Sequence, residues 1–196
     1  MKSLYFIRHG ISQHNVLYHN LGKKIFYDTR YYDTKLTQEG TQQSILLSNT
    51  WNDINKIELV LCSSLSRTLE TARNIFVNMS IPIIALDILK EFPQGLHTCN
   101  KRTEKKILIE EYTEIDFTNV DETDTMWNPE REETIDELNQ RIDQFNHFIK
   151  KRKETEIAII GHNSFIGQYK DKKIGLIENG NDELLHCYPY KVNFKL

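Results

Sequence analysis

Three short clusters of polar residues in this chain carry side chains suited to binding and transferring a phosphoryl group. The first cluster is Arg8-His9-Gly10, the second runs from Ser63 to Arg67, and the third is Gly161-His162. A guanidinium presents a planar fork of donors to phosphate oxygens, and an imidazole can act as a nucleophile at neutral pH. Glycine allows a sharp turn and lets a backbone N–H approach an anion closely. Taken singly, each cluster is equally typical of a surface turn.

A mostly apolar run precedes each cluster. The runs lie at residues 4–7, 57–62 and 156–160, and they predict three short buried strands. If these strands are parallel, their carboxyl ends meet at one edge of a sheet, where α/β proteins build ligand sites. Two arginines and two histidines would then surround one point and repel one another unless a dianion lay between them. A phosphoryl group meets that requirement, because its transfer depends on positioning and charge stabilisation.

Helical periodicity separates these strands. We predict a helix from an N-cap at Thr37 to about Trp51, with Ile45 and Leu46 on its buried face. Ser66 is the expected N-cap of the next helix. The other expected elements are two helices and two strands, at residues 103–112, 135–149, 81–84 and 187–194. Strands that alternate with helices predict a three-layer α/β/α sandwich with a mostly parallel central sheet.

Length and composition favour one soluble domain over residues 1–196. Of the 196 residues, 39% are hydrophobic and 27% are charged, and the net charge of −3 argues against a general nucleic-acid surface. No apolar run approaches the length of a membrane span. Two segments, at 16–35 and 92–130, lack a clear period over much of their length, and we expect a lid or insertion there. We expect a reduced, cytoplasmic protein that is a monomer or a homodimer.

The order of the clusters resembles the histidine phosphatase superfamily, the phosphoglycerate mutase-like group. The family pattern R-H-G-x-[ST]-x-x-N is matched at residues 8–15, and D-x-x-L-T-x-x-G-x-x-Q is matched at 33–43. The patterns S-x-L-x-R-x-x-[QE]-T-A, L-x-E-x-x-x-G and G-H-x-x-x-[IVL] follow in family order, at residues 63–72, 89–95 and 161–166. Residues 95–102, together with Met126-Trp127 and Pro129, resemble a eukaryotic-type branch of phosphoglycerate mutase-like proteins.

This resemblance implies roles for the matched residues. His9 would attack phosphorus and carry a phosphohistidine, and Glu91 would protonate the leaving oxygen and then activate water. The implied ligands of the phosphoryl oxygens are Arg8, Asn15, Arg67 and His162. The remainder of the substrate would contact a second group of residues, Ser12, Lys101, Arg102 and Asn163. Apart from the resemblance, the charges of Lys101 and Arg102 suit either a second anionic group of the substrate or an ordinary solvated surface. No metal ion or other cofactor is implied.

One departure from the family concerns the proton donor. Asn163 follows the second histidine, where acid-phosphatase-type members carry an aspartate, so the donor role is expected to fall to Glu91. The chain also looks short for a cofactor-dependent mutase, which favours a phosphatase. A mutase-type phosphotransferase and a catalytically idle phosphate-recognition module remain the alternatives.

Two other kinds of site are weaker interpretations of the same residues. A cysteine phosphatase needs the spacing C-x5-R, but only four residues separate Cys62 from Arg67. Cys62 is therefore expected in the core. The histidines and cysteines also lack the spacing and the partners of a metal site.

Overall fold

Five strands form one mixed sheet in a computed structural model that describes residues 1–174 and 184–195. The strands in chain order are β1 (Lys2–Arg8), β2 (Leu59–Ser63), β3 (Ile83–Leu86), β4 (Glu156–Gly161) and β5 (Pro189–Phe194). Their order across the sheet is β3-β2-β4-β1-β5. The first four strands are parallel, and β5 runs antiparallel to β1. The predicted mostly parallel sheet is confirmed.

Six α-helices of the described residues cover the two faces of this sheet. They are α1 (Gln13–Leu21), α2 (Gln38–Thr50), α3 (Ser66–Phe76), α4 (Lys105–Glu111), α5 (Ile135–Lys151) and α6 (Asn163–Asp171). Because side chains alternate along a strand, β1 feeds both layers of the core. Tyr5 and Ile7 pack with α2, α3 and α4, whereas Leu4 and Phe6 pack with α5 and α6. This alternation confirms the three-layer α/β/α sandwich.

The segment 16–35 is largely helical, although its sequence lacks a clear period. It contains most of α1 and two 3-10 turns, Gly22–Tyr27 and Thr29–Tyr31. The sequence hides these elements because they have little apolar periodicity: His14 is the buried residue of α1, and Ile25 is that of the first turn. Helix α6, which the sequence analysis did not predict, follows directly on the third polar cluster.

Two local predictions needed correction. Ile45 and Leu46 are exposed, and α2 instead buries Gly40, Ser44 and Leu47. Small residues let this helix pack closely with α3, so its buried face is not its most apolar one. Ser66 begins α3 rather than capping it. The N–H and the hydroxyl of Ser66 both donate to the carboxylate of Asp33. Asp33, which is distant in the chain, therefore caps the start of the helix.

Within residues 1–174 and 184–195, no helix combines the length and the apolar character that crossing a membrane requires.

Candidate active site

The carboxyl ends of β1, β2 and β4 bring the three polar clusters together. Arg8 is the register partner of Gly161, and the N–H of His9 donates to the carbonyl of Gly161 at 3.0 Å. The ring centroids of His9 and His162 lie 5.2 Å apart. All four basic residues of these clusters are buried. We refer to Arg8, His9, Arg67 and His162 as the floor.

A hydrogen bond fixes the tautomer of His9. Its Nδ1 lies 2.7 Å from the carbonyl oxygen of Gly10. Because a carbonyl can only accept, Nδ1 must carry the proton and Nε2 must hold the lone pair. Burial, reinforced by the charge of Arg67, holds the pKa of His9 well below its ordinary value. His9 is therefore a neutral imidazole whose Nε2 carries the lone pair.

The floor holds polar atoms that lack hydrogen-bond partners. Arg67 is fully buried and donates to the carbonyl of Cys99 at 2.7 Å and to Oδ1 of Asn100 at 3.0 Å, but its Nε has no hydrogen-bond partner. His162 Nε2 lies 2.9 Å from the hydroxyl of Ser63, and its buried Nδ1 is likewise unsatisfied. Buried polar groups are normally paired. These two atoms, beside two guanidinium groups, fit a site that is completed by an oxyanion.

Glu91 is held at the start of α6. Its carboxylate accepts hydrogen bonds from the N–H of Phe92 at 2.8 Å and from those of Ser164 and Phe165, both at 3.2 Å. These bonds and the charge of Arg67 lower the pKa of this carboxyl, but burial raises it by more, so the net shift is upward. A carboxyl with a raised pKa retains its proton nearer to neutral pH, as a general acid requires.

A cleft of about 790 Å³ opens beside Glu91 and Arg8. Arg8, Glu91 and Asn163 line it together with α1 and the segment that follows α1. The cleft is much larger than one phosphoryl group, so it has room for the remainder of a substrate.

The profile of the histidine phosphatase superfamily (branch 1) matches residues 4–173. The chain belongs to this superfamily. A phosphoglycerate mutase-like protein from Arabidopsis thaliana is 30% identical over 203 residues, which span 84% of this chain and 72% of that protein. These matches confirm the resemblance that the motifs indicated.

Solved structures confirm the superfamily's fold. The alpha-ribazole phosphatase from Shigella flexneri superposes with a TM-score of 0.66 at 22% identity, and the match covers 98% of this chain and 91% of that one. A mycobacterial glucosyl-3-phosphoglycerate phosphatase in complex with inorganic phosphate gives a TM-score of 0.57 at 14% identity, covering 88% of this chain and 78% of that one.

The superfamily motifs also contain residues that position the site. A Cβ atom on Gly10 would lie 2.4 Å from the carbonyl oxygen of Gly40, so only glycine permits this contact between the first two motifs. Gln43 accepts a hydrogen bond from the N–H of Ile11 at 3.0 Å. Thr71 of the third motif accepts one from the N–H of Gly10 at 3.1 Å. The motif spacing therefore encodes a set of backbone contacts around His9.

Ser12 and Asn163 were both predicted to contact the substrate, but only Asn163 lines the cleft. Ser12 is fully buried and N-caps α1, and its hydroxyl donates to Oδ1 of Asn15 at 2.6 Å. It does not line the cleft, because its side chain serves the cap. Asn15 and Asn163 do line the cleft. Oδ1 of Asn163 accepts a hydrogen bond from the N–H of Leu184 at 2.9 Å.

Lys101 and Arg102 are not among the residues that line the cleft. Nζ of Lys101 lies 4.9 Å from the ring centre of Tyr32 and 4.7 Å from that of Trp127. Arg102 is buried, with its Nε 3.1 Å from a carboxylate oxygen of Asp87. Both cations thus contact side chains in or beside the 92–130 segment, and their expected role toward a second anionic group stays a prediction.

Two histidines near His9 were not assigned a role from the sequence. His186, just before β5, donates through Nδ1 to the carbonyl of His9, and the two ring centroids are 5.6 Å apart. The centroid of His14 lies 6.1 Å from that of His9. His14 falls inside the first motif at an unspecified position, and His186 lies outside every motif. Both line the cleft.

Neither alternative kind of site is supported in the described part of the chain. Cys62 is fully buried, and burial raises the pKa of its thiol, which disfavours a nucleophilic thiolate. Among the described residues, no group of three or more His, Cys, Asp or Glu side chains is placed to hold a metal ion.

Proposed function

We propose that this protein hydrolyses a phosphomonoester through a phosphohistidine intermediate on His9, without a metal ion. The observation that carries the proposal is the floor itself. A neutral imidazole with a fixed tautomer lies among two buried guanidinium groups and a second imidazole. Such a set of groups suits a nucleophile that attacks an oxyanion whose charge the surroundings neutralise.

In the first step, Nε2 of His9 attacks phosphorus, and the bond between phosphorus and the leaving oxygen breaks. The carboxylic acid of Glu91 gives its proton to that oxygen, so the organic part of the substrate leaves as an alcohol. In the second step, the Glu91 carboxylate takes a proton from water as the water oxygen attacks phosphorus. The phosphorus–nitrogen bond then breaks, and neutral His9 and inorganic phosphate result.

Solved relatives support an oxyanion at the floor. The mycobacterial phosphatase of the same fold was crystallised with inorganic phosphate, and the Shigella protein is also a phosphatase. At 14% and 22% identity these relatives support the reaction class and not the substrate.

The test is phosphate release from an aryl phosphate and a panel of phosphorylated metabolites in the presence of EDTA. Wild type is compared with His9→Ala and with His147→Ala, a matched control because His147 is exposed on α5. We expect release from wild type and from the control, and a loss of at least about four orders of magnitude in His9→Ala. Undiminished turnover by a folded His9→Ala protein would overturn the assignment of the nucleophile.

The same assay separates the alternatives. A phosphatase releases one phosphate for each alcohol formed, and acid quenching traps an acid-labile phosphoenzyme that His9→Ala lacks. A mutase instead returns the phosphoryl group to an organic acceptor, so alcohol exceeds free phosphate. A recognition module binds phosphate but forms neither product.

A further inference from the structure

The wall of the cleft contains a stack of three near-parallel rings. The centroids of Tyr18 and Phe26 are 5.2 Å apart with an interplanar angle of 18°, and those of Phe26 and His97 are 4.7 Å apart at 17°. Tyr27 meets His97 edge-on at 5.5 Å. All four residues line the same cleft as Arg8 and Glu91. We call Tyr18, Phe26 and His97 the ring stack.

Two hydrogen bonds donated by the 92–130 segment hold the ring stack in place. The hydroxyl of Thr98 donates to the carbonyl of Phe26 at 3.2 Å, and the indole N–H of Trp127 donates to the carbonyl of His97 at 3.0 Å. Nε2 of His97 also lies 3.3 Å from a carboxylate oxygen of Glu132. Because these contacts already hold the side chains of the wall, little conformational entropy is lost when a ligand binds. More of the free energy of packing against the aromatic rings then contributes to affinity.

The charges along the wall disfavour a second anionic group. Apart from Arg8 and Glu91, the described residues that line the cleft include one lysine, Lys23, and two glutamates, Glu39 and Glu132. Burial lowers the pKa of His97, which keeps that ring uncharged near neutral pH. A carboxylate on the leaving alcohol would therefore meet more negative than positive charge.

From these contacts we infer that the substrate is a monophosphate ester whose alcohol carries a planar ring and no second anionic group. The phosphoryl group lies on the floor, and the ring packs against the ring stack. This inference rests on the proposed function for its reaction and on the wall for its selectivity. The inference predicts different kcat/KM values for esters whose leaving groups are chemically alike but whose organic parts differ.

Benzyl phosphate and ethyl phosphate test the ring, because both release a primary alcohol of similar basicity. We expect kcat/KM to be about tenfold or more higher for benzyl phosphate, as aromatic packing and burial of a ring provide. A carboxylate at the 4-position of the benzyl ring should remove most of that advantage. Equal kcat/KM for the benzyl and ethyl esters, or a gain from the carboxylate, would overturn the inference.

Variants of Phe26 locate the selectivity. In Phe26→Ala, and more mildly in Phe26→Leu, the benzyl-to-ethyl ratio should fall toward one, whereas Tyr31→Ala should keep the ratio of wild type. Tyr31 is the control because it lies in the same segment outside the cleft. Phe26→Leu preserves apolar volume if the alanine variant fails to fold. An unchanged ratio in folded Phe26→Leu would place the selectivity elsewhere and overturn the role of the ring stack.

A binding measurement keeps this inference separate from the reaction. Benzylphosphonate and ethylphosphonate lack the ester bond, and calorimetry gives their affinities whether or not the protein turns over. Tighter binding of benzylphosphonate in a protein that hydrolyses nothing would sustain the ring site and reject the hydrolase. Equal binding of the two phosphonates by a protein that hydrolyses esters would reject the ring site and sustain the hydrolase.

Discussion

The floor of the cleft lies on the sheet, whereas its aromatic wall lies on two insertions that meet across the fold. Arg8 is the last residue of β1, and the other three floor residues follow β1, β2 and β4 within one to four positions. Tyr18 and His97, at the two ends of the ring stack, are separated by most of the first half of the chain. Strand ends hold chemical groups rigidly, and connecting segments vary more freely. In the function proposed above, the sheet would therefore carry the reaction and the two segments the choice of substrate.

The largest effect is expected where the floor meets the leaving group. Glu91→Gln keeps an oxygen that can accept from the N–H groups at the start of α6, but it cannot donate a catalytic proton. We expect a loss of about 10³–10⁴ in kcat for alkyl phosphates and a much smaller loss for an activated aryl phosphate. Glu110→Gln, an exposed change on α4, is the control. Equal losses for both esters would show that Glu91 is not the general acid.

The pH profile of wild type tests the same residue. Glu91 donates only when protonated, so alkyl-ester turnover is present below its pKa and is lost as pH rises through it. Because burial raises that pKa, the alkaline limb should lie above the range of an ordinary glutamate. The limb should be absent in Glu91→Gln. The acid limb from His9 should lie below that of an ordinary histidine, since its pKa is lowered.

Arg67→Met should separate catalysis from stability at the floor. We expect kcat/KM to fall by about 10²–10³, because a buried donor to the transferred group is lost. Stability should be equal or higher, since burial of the guanidinium charge beside Arg8 opposes folding. Thermal unfolding with and without phosphate measures both effects. Arg73→Met, on the exposed side of α3, is the control, and a large loss of stability specific to Arg67→Met would contradict this account.

The 92–130 segment should depend more on buried charge for its stability than the floor does. Lys90 is fully buried and donates to both carboxylate oxygens of Asp124, at 2.6 and 2.7 Å. Lys90→Met leaves the Asp124 carboxylate uncompensated, so we expect a loss of about 3–5 kcal/mol in the free energy of unfolding. Urea denaturation measures this loss against Lys153→Met, an exposed control. A loss below about 1 kcal/mol would show that the pair contributes little.

The smallest effect is expected at Lys101. Removing its contacts with Tyr32 and Trp127 should cost about 1 kcal/mol of stability and leave kcat/KM within twofold. A specific rise in KM for substrates with two anionic groups would instead restore the original expectation that Lys101 binds substrate. Thermal unfolding and kinetics on a diphosphorylated ester check the two outcomes together.

Local sequence patterns sufficed wherever a residue's role depends on near neighbours. The parallel strands, α5 and the floor could be predicted because apolar runs mark buried strands and the polar clusters follow them directly. Helix α2 was placed correctly, but its buried face was not. The packing of Ser44 against α3 and of Gly40 against the backbone of Ile11 decided that face, and no apolar repeat records it.

The sequence by itself determined which polar groups gather at the floor, because each polar cluster directly follows its strand in the chain. The motifs also contain Gly10 and Gly40, but only the structure shows that the backbones of these two residues are in close contact. Only the tertiary structure decided the surroundings of charged and aromatic side chains. Lys101 lies over the ring of Trp127, and Arg102 lies beside the carboxylate of Asp87. His186 donates a hydrogen bond to the carbonyl of His9, from which it is far removed in the chain. Burial and partner charge are set by such distant contacts, so a side chain's type alone does not reveal whether it serves the substrate or the fold.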